Sequence, residues 1–398
     1  MRIEAIRLKN FRSFRDVTLK DIPPYCVVVG ANGTGKSTLF SIFSFLRDAM
    51  TTNVTTAIGK LGGSRGLSEV RSRGTVGPIE LELKMRSPLG AGTPKLITYE
   101  LHIDEEMGRP VVTREVLKYR RGSHGKPWHF LDFNRGEGTA VTNELDTITD
   151  ESDLEREPHT LKGPDILAVK GLAQFQRFPA AMALGNLIEN WHLSDIHITR
   201  ARPEQEMGYA EHLSREGENL SLVVDYLFKH HRDIFNTVLD RLARRIPGIE
   251  RVESKNTEEG RVLLKFQDHA FEDPFLARYV SDGTIKMLAY LVLLHDPKPH
   301  PLLCVEEPEN QLYPSLLWDL AEEFRAYAVR GGQVFVSTHS PDFLNAVELD
   351  EVFWLVKHEG YTEVRRAKDD EQIRAFVREG DQLGQLWKSG TFEGANPR

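Results

Sequence analysis

A glycine-rich segment near the N-terminus constrains this chain more than any other part of its sequence. Residues 30–38 read Gly-Ala-Asn-Gly-Thr-Gly-Lys-Ser-Thr and match the phosphate-loop pattern G-x-x-x-x-G-K-[ST]. A β-branched run precedes the segment at 27–29, and apolar residues at helical spacing follow it over 39–46. A strand, a glycine-rich loop and a helix in this order surround a phosphate with backbone N–H groups and the positive end of the helix.

The residues of this segment have expected roles in binding a nucleotide. Lys36 is expected to bridge the outer phosphates, and the hydroxyl of Ser37 is expected to hold Mg²⁺. ATP and Mg²⁺ are therefore the predicted ligands. A glycine-rich turn that binds nothing is the alternative, and the strand–loop–helix context disfavours it. The other residues predicted to contact the nucleotide here are Asn32, Gly33, Thr34, Gly35 and Thr38.

The composition limits the class of protein. A chain of 398 residues is too long for one small core and suggests about two lobes. The formal net charge of −8 disfavours a protein that coats nucleic acid, although it leaves room for a local basic patch. The two cysteines, Cys26 and Cys304, lie in apolar runs and are predicted to be core residues in a reducing compartment. The N-terminus lacks a signal-peptide pattern, and no apolar run approaches the ~20 residues of a membrane span, so we predict a cytoplasmic protein with no membrane partner.

The pattern of segments predicts an α/β chain whose nucleotide-binding lobe is assembled from both ends. Residues 1–78 and 271–398 are predicted to form this lobe. Strands alternate with helices from Val280 onward, which predicts a mostly parallel core sheet. Strand-like runs separated by turn signals predict an antiparallel β segment over 79–135. Residues 136–270 are predicted to form a helical insertion lobe.

Two stretches are predicted to lack regular structure. Residues 59–77 are rich in glycine and arginine, which predicts a mobile loop near the nucleotide, with a plain surface linker as the alternative. Residues 134–164 are polar and acidic with few apolar anchors, which predicts a loose connection.

Two adjacent carboxylates end an apolar run in the C-terminal part. Leu302 to Val305 read as a strand, and Glu306 and Glu307 follow. Such a strand is typical of the second half of a phosphate-loop ATPase. Glu306 is expected to bind Mg²⁺ and Glu307 to polarise the attacking water. A surface acidic pair at a strand end is the alternative, and the phosphate loop elsewhere in the chain disfavours it.

Two further motifs have both a structural and a functional interpretation. His339 follows an apolar strand-like run and could contact the γ-phosphate or the attacking water, although a lone histidine at a strand end is more often structural. The sequence Ser281-Asp282-Gly283-Thr284 precedes a helical stretch, where Ser281 or Asp282 would cap the helix. The functional alternative is that Ser281 and the Gly283 backbone meet the γ-phosphate bound by a second subunit.

The order of these motifs resembles the ABC-type ATPases of the RecF, SMC and OLD group. The sequence is most similar to the short ATPases whose domain also forms the N-terminal part of OLD-family nucleases. The segment Leu-Lys-Asn-Phe-Arg-Ser-Phe at 8–14 is similar to the opening strand of that group. The resemblance implies a P-loop ABC-type fold, hydrolysis of ATP with Mg²⁺, and a head-to-tail homodimer or higher oligomer around ATP.

The resemblance also implies roles residue by residue. It places Ser281, Asp282 and Gly283 on the signature motif, which faces the partner's nucleotide. Asn310 falls in the segment that crosses the dimer seam, and Arg12 is expected to approach the nucleotide phosphates. The remaining assignments are Lys36, Ser37 and Thr38 to the phosphate loop, Glu306 to the Mg²⁺ carboxylate, Glu307 to the catalytic glutamate and His339 to the switch histidine.

The chain departs from the family pattern in several places. The signature reads S-D-G-T rather than L-S-G-G, and Glu306 stands where Asp is usual. The usual Q-loop glutamine has no clear counterpart, and Gly62-Gly63 is the candidate replacement. In OLD-family proteins a Toprim nuclease domain would follow, but residues 351–398 are too few to form one. The nuclease activity of that family is therefore not carried over to this chain.

Two outputs of the ATPase are open at this point. The first is a DNA-responsive ATPase in genome maintenance or in defence against phages and mobile elements. It would bind duplex DNA through contacts to the sugar–phosphate backbone of the DNA. The alternative is a sensor or scaffold whose nucleotide state holds and releases a separate effector protein, a nuclease or a toxin. A transporter motor is weaker, because the transporter signature is absent. The candidate DNA-binding clusters are Arg200 with Arg202, Arg241 with Arg244, Arg245 and Arg251, and Arg114 with Arg120, Arg121 and Lys126.

Overall fold

The structure is a computed structural model that describes residues 1–89, 94–121, 125–144, 146, 148 and 150–394. In chain order its strands are β1 (Arg2–Phe11), β2 (Phe14–Leu19), β3 (Tyr25–Val29), β4 (Ile79–Ser87), β5 (Lys95–Glu106), β6 (Arg109–Tyr119), β7 (Trp128–Asn134), β8 (Glu137–Val141), β9 (Arg156–Thr160), β10 (His192–Ser194), β11 (Gln205–Glu206), β12 (Ile249–Asn256), β13 (Arg261–Asp268), β14 (Phe275–Leu276), β15 (Leu302–Glu306), β16 (Gln333–Thr338), β17 (Val352–His358) and β18 (Tyr361–Arg366).

The α-helices are α1 (Lys36–Thr51), α2 (Val54–Gly62), α3 (Leu67–Val70), α4 (Ala168–Leu172), α5 (Pro179–Glu189), α6 (Ile198–Ala201), α7 (Leu220–His230), α8 (Arg232–Arg245), α9 (Asp282–Leu294), α10 (Pro314–Val329), α11 (Pro341–Leu344), α12 (Glu371–Glu379) and α13 (Leu383–Lys388). In the part of the chain that the structure describes, no helix is both long and apolar enough to cross a membrane.

A mostly parallel sheet carries the phosphate loop. Its strand order is β10-β15-β16-β3-β17-β18, and only the edge strand β18 runs antiparallel to its neighbour. The central strand β3 is a continuous apolar run that is buried along its whole length, as is typical of a parallel strand covered on both faces. The prediction of a mostly parallel sheet is confirmed for this sheet, which joins the two ends of the chain.

Alternate residues of the parallel sheet pack into two different cores. Cys26 and Val28 face a core that contains α1 and the antiparallel strands, whereas Val27 and Val29 face a core that contains α9 and α10. Side chains alternate between the two faces of a strand, so β3 contributes to both cores. Both cysteines are buried and free, as predicted for core residues.

The largest sheet is antiparallel, so the mostly parallel sheet is not the larger part of the β-structure and the predicted antiparallel segment is larger than expected. Its order is β2-β1-β4-β5-β6-β7-β8-β9, so the N-terminal hairpin belongs to it. Strand β4 buries Ile79, Leu81, Leu83 and Met85, while the residues between them lie less buried on the other face. Alternation of this kind predicts a strand but does not reveal its partner. The antiparallel segment therefore begins at Arg2 rather than at residue 79.

Three local expectations also differ from the structure. The loose connection over 134–164 is wrong, because β8 and β9 lie within it and pair with each other. Much of 59–77 is helical rather than a mobile loop, because Gly62, Leu67 and Val70 are buried in the packing of α2 and α3. The segment 136–270 contains helices but also supplies β10 to the parallel sheet and the β12–β13 hairpin.

Candidate functional site

The phosphate loop connects β3 to α1, as the sequence predicts. Gly35 caps α1 in a left-handed conformation with φ of +109°. A Cβ atom there would lie 2.8 Å from the Thr362 hydroxyl and 3.0 Å from the Ser13 hydroxyl. Glycine is therefore required for two reasons, since its φ is unfavourable for other residues and its surroundings leave no room for a side chain.

The ammonium group of Lys36 lies inside the loop. Its Nζ atom donates hydrogen bonds to the carbonyl oxygens of Gly30 at 2.6 Å and Ala31 at 3.3 Å. Burial lowers the pKa of Lys36, and the nearby carboxylates of Glu307, Glu309 and Glu306 act in the opposite direction. A buried cation beside the loop amides provides a strong position for a phosphate oxygen.

Glu306 lies at the carboxyl end of β15, next to Ser37. Burial raises the pKa of its carboxyl, while a hydrogen bond from the Ser37 hydroxyl lowers it less strongly. The guanidinium of Arg215 is 3.8 Å away. A carboxylate and a hydroxyl are the oxygen donors that Mg²⁺ prefers, so these two residues fit the ion that the sequence predicts.

Glu307 is held in an unusual backbone conformation, with φ of +44°. Its N–H donates to the Ser337 carbonyl at 2.9 Å, which fixes the residue to the neighbouring strand β16. Its carboxylate accepts a hydrogen bond from the Asn310 amide at 3.2 Å and lies 3.3 Å from Nδ1 of His339. The structure thus brings Glu307, Asn310 and His339 together, and a non-glycine residue in this conformation is typical of a functional position.

Glu309 is a site residue that the sequence analysis missed. Its Oε1 atom accepts hydrogen bonds from the Thr338 hydroxyl at 2.7 Å and from the N–H of His339 at 3.0 Å. The residue is only 9% exposed. Its position in the run Glu306-Glu307-Pro308-Glu309, two residues after Glu307, is the sequence signal that could have identified it.

A cavity of about 840 Å³ surrounds the phosphate loop, within the usual size of a small-molecule site. The predicted residues Asn32, Gly33, Gly35, Lys36, Ser37, Thr38, Arg12 and Glu307 line it. Arg12 also donates from Nη2 to the Leu61 carbonyl at 2.8 Å, so its side chain is held at the cavity wall. Residues of the 59–77 segment complete one side, as expected from the predicted proximity of that segment to the nucleotide.

The β17–β18 hairpin forms another wall that the sequence analysis did not identify. Lys357 donates to the Gly33 carbonyl at 3.3 Å, and the hydroxyl of Tyr361 donates to the Arg73 carbonyl at 2.7 Å. The hairpin reaches the loop because β17 pairs directly with β3. Its sequence reads as an ordinary polar turn and carries no nucleotide-binding signal.

The signature residues lie apart from the phosphate loop of the same chain. Ser281 caps α9, and its hydroxyl accepts a hydrogen bond from the Thr284 N–H at 3.2 Å. Asp282 forms an ion pair with Arg202 and lines a different cavity, which also includes Gln311. Of the residues that the structure describes, those around the phosphate-loop cavity do not include Ser281, Asp282 or Gly283.

The basic clusters are largely paired within the chain. Arg241 and Arg245 both bind the carboxylate of Glu323, which is 1% exposed. Arg202 pairs with Asp282, and Arg200 pairs with Glu216 at 2.7 Å. Arg202, Arg241 and Arg245 are thus engaged in ion pairs between elements of the same chain, which leaves less positive charge for a nucleic-acid phosphate.

The fold and the phosphate loop are those of an AAA-type ATPase domain. The chain belongs to the family described as "AAA domain, putative AbiEii toxin, Type IV TA system", whose model matches residues 26–345. No curated protein matches the chain.

Solved structures support the fold. One is an SMC head bound to the C-terminal winged-helix domain of ScpA, with a TM-score of 0.55, 16% identity, and coverage of 92% of this chain and 97% of that one. Another is an SMC head with an extended coiled coil, bound to the C-terminal domain of ScpA from Pyrococcus furiosus, with a TM-score of 0.52, 14% identity, and coverage of 95% and 99%. At these identities the similarity concerns the fold alone.

Proposed function

We propose that this chain is an Mg²⁺-dependent ATP hydrolase that dimerises head to tail around ATP. The observation that carries the proposal is the convergence of Ser37, Glu306, Glu307 and His339 at the carboxyl edge of the parallel sheet. Ligands of open α/β sheets bind at this edge. The geometry within one chain supplies a phosphate loop, oxygen donors for a cation, and a carboxylate near a histidine.

The phosphate-loop residues bind and orient the nucleotide. Lys36 exchanges its two carbonyl contacts for the outer phosphate oxygens, and the N–H groups at the start of α1 face the same phosphates. Ser37 and Glu306 would hold Mg²⁺, which neutralises charge on the phosphates when it is bound.

Glu307 is the proposed general base. Its carboxylate polarises the attacking water, and Asn310 and His339 hold the carboxylate in place through their contacts at 3.2 and 3.3 Å. His339 also approaches the position of the γ-phosphate, since it follows β16, the strand between β15 and β3. Glu309 is a positioning residue, because it fixes the backbone of His339 without facing the cavity.

The separation of the signature from the phosphate loop supports a head-to-tail dimer. A site completed by Ser281 and Gly283 needs these residues from a second copy, since the first copy does not bring them to its own loop. Two aromatic side chains near this motif are exposed, Tyr279 at 68% and Tyr313 at 73%. Exposed aromatic residues around an incomplete site are typical of a surface that a protein partner covers.

The second candidate function concerns the output of the dimer. In this candidate function, the protein holds or releases a separate effector protein, a nuclease or a toxin, according to the nucleotide that it binds. The family description names a putative toxin of a type IV toxin–antitoxin system, and the two solved SMC heads each bind a partner protein, which favours this output. A DNA-responsive ATPase in genome maintenance or defence remains the other proposal, and the internal pairing of the basic clusters weakens it.

Steady-state ATP hydrolysis tests both levels of the proposal. Turnover per chain should rise with protein concentration, because the active form is a dimer, and the Lys36→Ala variant should be inactive. Stimulation by linear duplex DNA would support the DNA-responsive output, whereas indifference to DNA would support control of a protein effector. Absence of Mg²⁺-dependent hydrolysis at every protein concentration would contradict the proposed enzyme.

A further inference from the structure

A cluster of histidines and an aspartate lies at the edge of the parallel sheet opposite the phosphate loop. His192 begins β10, and His300 lies two residues before β15, so both are at the amino ends of strands whose carboxyl ends face the nucleotide cavity. His212 and Asp296 join them from two separate loops. His192, His212 and His300, together with Arg215, help to line a cavity of about 610 Å³.

Three side chains of the cluster have the geometry of a metal site. One ligand atom from each of His212, Asp296 and His300 can be chosen so that all three lie within 4.8 Å of one another. Nδ1 of His212 is 2.6 Å from a carboxylate oxygen of Asp296, and the Asp296 side chain is 4% exposed. The other oxygen of Asp296 accepts the N–H of Lys298 at 2.8 Å, which fixes the direction of the carboxylate.

The hydrogen bonding of His300 leaves one ring nitrogen available. Its Nδ1 contacts the Asn190 carbonyl at 3.2 Å, and a carbonyl oxygen can only accept, so Nδ1 carries the proton. Nε2 of His300 is buried and has no hydrogen-bond partner in the part of the chain that the structure describes. A histidine whose other nitrogen donates to a backbone carbonyl is the usual arrangement around a bound metal ion.

His192 packs directly against His300. Its ring stacks on that of His300, with ring centroids 4.7 Å apart, and the residue is only 5% exposed. Its Nε2 atom is also buried and unpartnered among the described residues. Buried polar atoms normally have a hydrogen-bond partner, so the orphaned Nε2 of His300 points to a missing ligand, and the stacked ring of His192 helps to fix the plane of the His300 ring.

We infer that His212, Asp296 and His300 form a binding site for a divalent transition-metal ion, and that His192 orients the ring of His300. Two imidazoles and one carboxylate suit Zn²⁺ better than Mg²⁺, which prefers oxygen ligands alone. Binding would replace the hydrogen bond between His212 and Asp296 with two metal–ligand bonds. The ion would join the loop that carries His212 to the loop between α9 and β15. This site is separate from the Mg²⁺ position proposed beside Ser37.

Titration of the purified full-length chain with Co²⁺ in excess Mg²⁺ tests this inference. Excess Mg²⁺ occupies the phosphate-loop position, and Co²⁺ reports an imidazole-containing site through its visible absorption. We expect one Co²⁺ per chain, displaced by Zn²⁺. Asp296→Asn keeps an oxygen that can accept the Lys298 N–H, yet it should weaken Co²⁺ binding about 10- to 100-fold, and His300→Gln should do the same.

Two control variants make the result specific. His269→Gln alters a side chain that is 73% exposed and should bind Co²⁺ like the wild type. Lys36→Ala should also bind Co²⁺ normally, so a failure of the proposed ATPase would not be mistaken for a failure of this site. Native mass spectrometry of the wild type with Zn²⁺ counts the bound ions directly. This measurement does not depend on whether the variants fold. A wild type that binds no ion in both measurements, or an Asp296→Asn variant with wild-type affinity, would overturn the inference.

Discussion

The buried carboxylate of Glu309 accepts a hydrogen bond of 2.7 Å from the hydroxyl of Thr338. This contact joins the segment that follows the acidic pair to the end of β16, which carries His339. The same carboxylate oxygen accepts the N–H of His339 at 3.0 Å. The relative position of the proposed base and the proposed switch histidine therefore depends on Glu309, which itself does not line the nucleotide cavity.

Glu309→Ala should lower the turnover number more than it changes the KM for ATP. The variant removes both hydrogen bonds, so the free energy of unfolding should also fall by about 1.5–3 kcal/mol. Glu309→Gln keeps an oxygen acceptor for Thr338 and His339 and should retain most of the activity. ATP turnover and thermal unfolding of the two variants measure these effects. Equal turnover in Glu309→Ala and the wild type would show that the residue does not position the site.

Lys36→Ala should weaken ATP binding strongly while leaving the fold intact. Its ammonium group donates hydrogen bonds to two carbonyls of its own loop, so the variant loses the cation that would bind a phosphate but no contact between distant elements. We expect ATP affinity to fall about 100-fold or more, as for other charged contacts in a water-excluded site. Equilibrium binding of a fluorescent ATP analogue measures the loss. Lys60→Ala, which removes a surface ion pair with Asp48, is the matched control and should bind normally.

The sequence pattern predicted the parallel sheet and the order of the motifs. It did not predict which antiparallel strands pair with each other. The continuous apolar runs of β3, β15 and β16 predicted buried parallel strands directly. The antiparallel sheet was underestimated because β1 pairs with β4 through contacts such as Ile6 with Leu83, far apart in sequence. Strands β8 and β9 are short, and β9 buries none of its residues, so their composition resembled a connection.

The candidate site was predictable only where a motif carries its own chemistry. The phosphate loop, Glu306, Glu307 and His339 stand at strand ends that the sequence marks clearly. The role of the β17–β18 hairpin could not be predicted, because no motif marks it. It reaches the cavity through the pairing of β17 with β3. The arrangement of His212, Asp296 and His300 depends on three-dimensional packing, and their spacing along the chain does not suggest a metal site.

The buried carboxyl of Glu115 should make the stability of the chain decrease as the pH rises. Burial raises its pKa from 4.5 to about 7, against the opposing effect of hydrogen bonds from Val169, Ala168 and Tyr99. A carboxyl whose pKa is higher in the folded state adds stability that is complete below the unfolded pKa and is lost as the pH rises through the folded pKa. The relevant window therefore runs from 4.5 to about 7.

Denaturant unfolding at several pH values across this window tests the prediction. The free energy of unfolding of the wild type should fall more steeply with rising pH than that of Glu115→Gln, which cannot titrate. Glu137→Gln changes an exposed residue and should keep the wild-type slope. The same slope in Glu115→Gln and the wild type would mean that the carboxyl titrates alike in the folded and unfolded states.

The proposed dimer makes a prediction about Ser281, which lies outside the phosphate-loop cavity of its own chain. Ser281→Arg should prevent ATP-dependent association, because the arginine would occupy the surface that faces the partner's nucleotide. Loss of the helix cap should cost only about 1 kcal/mol, so the monomer should still fold and bind ATP. Ser281→Thr preserves the cap and should associate normally. Sedimentation of both variants with ATP distinguishes the two outcomes.

The most direct test of the central claim is the mass of the Glu307→Gln variant in solution with Mg²⁺ and ATP. Removal of the proposed base should slow hydrolysis about 100- to 1,000-fold and trap the ATP-bound form. Analytical ultracentrifugation should then show a dimer with ATP and a monomer with ADP, and Glu322→Gln, an exposed control on α10, should turn over ATP normally. A Glu307→Gln variant that binds ATP yet stays monomeric, or that hydrolyses ATP at the wild-type rate, would contradict the account.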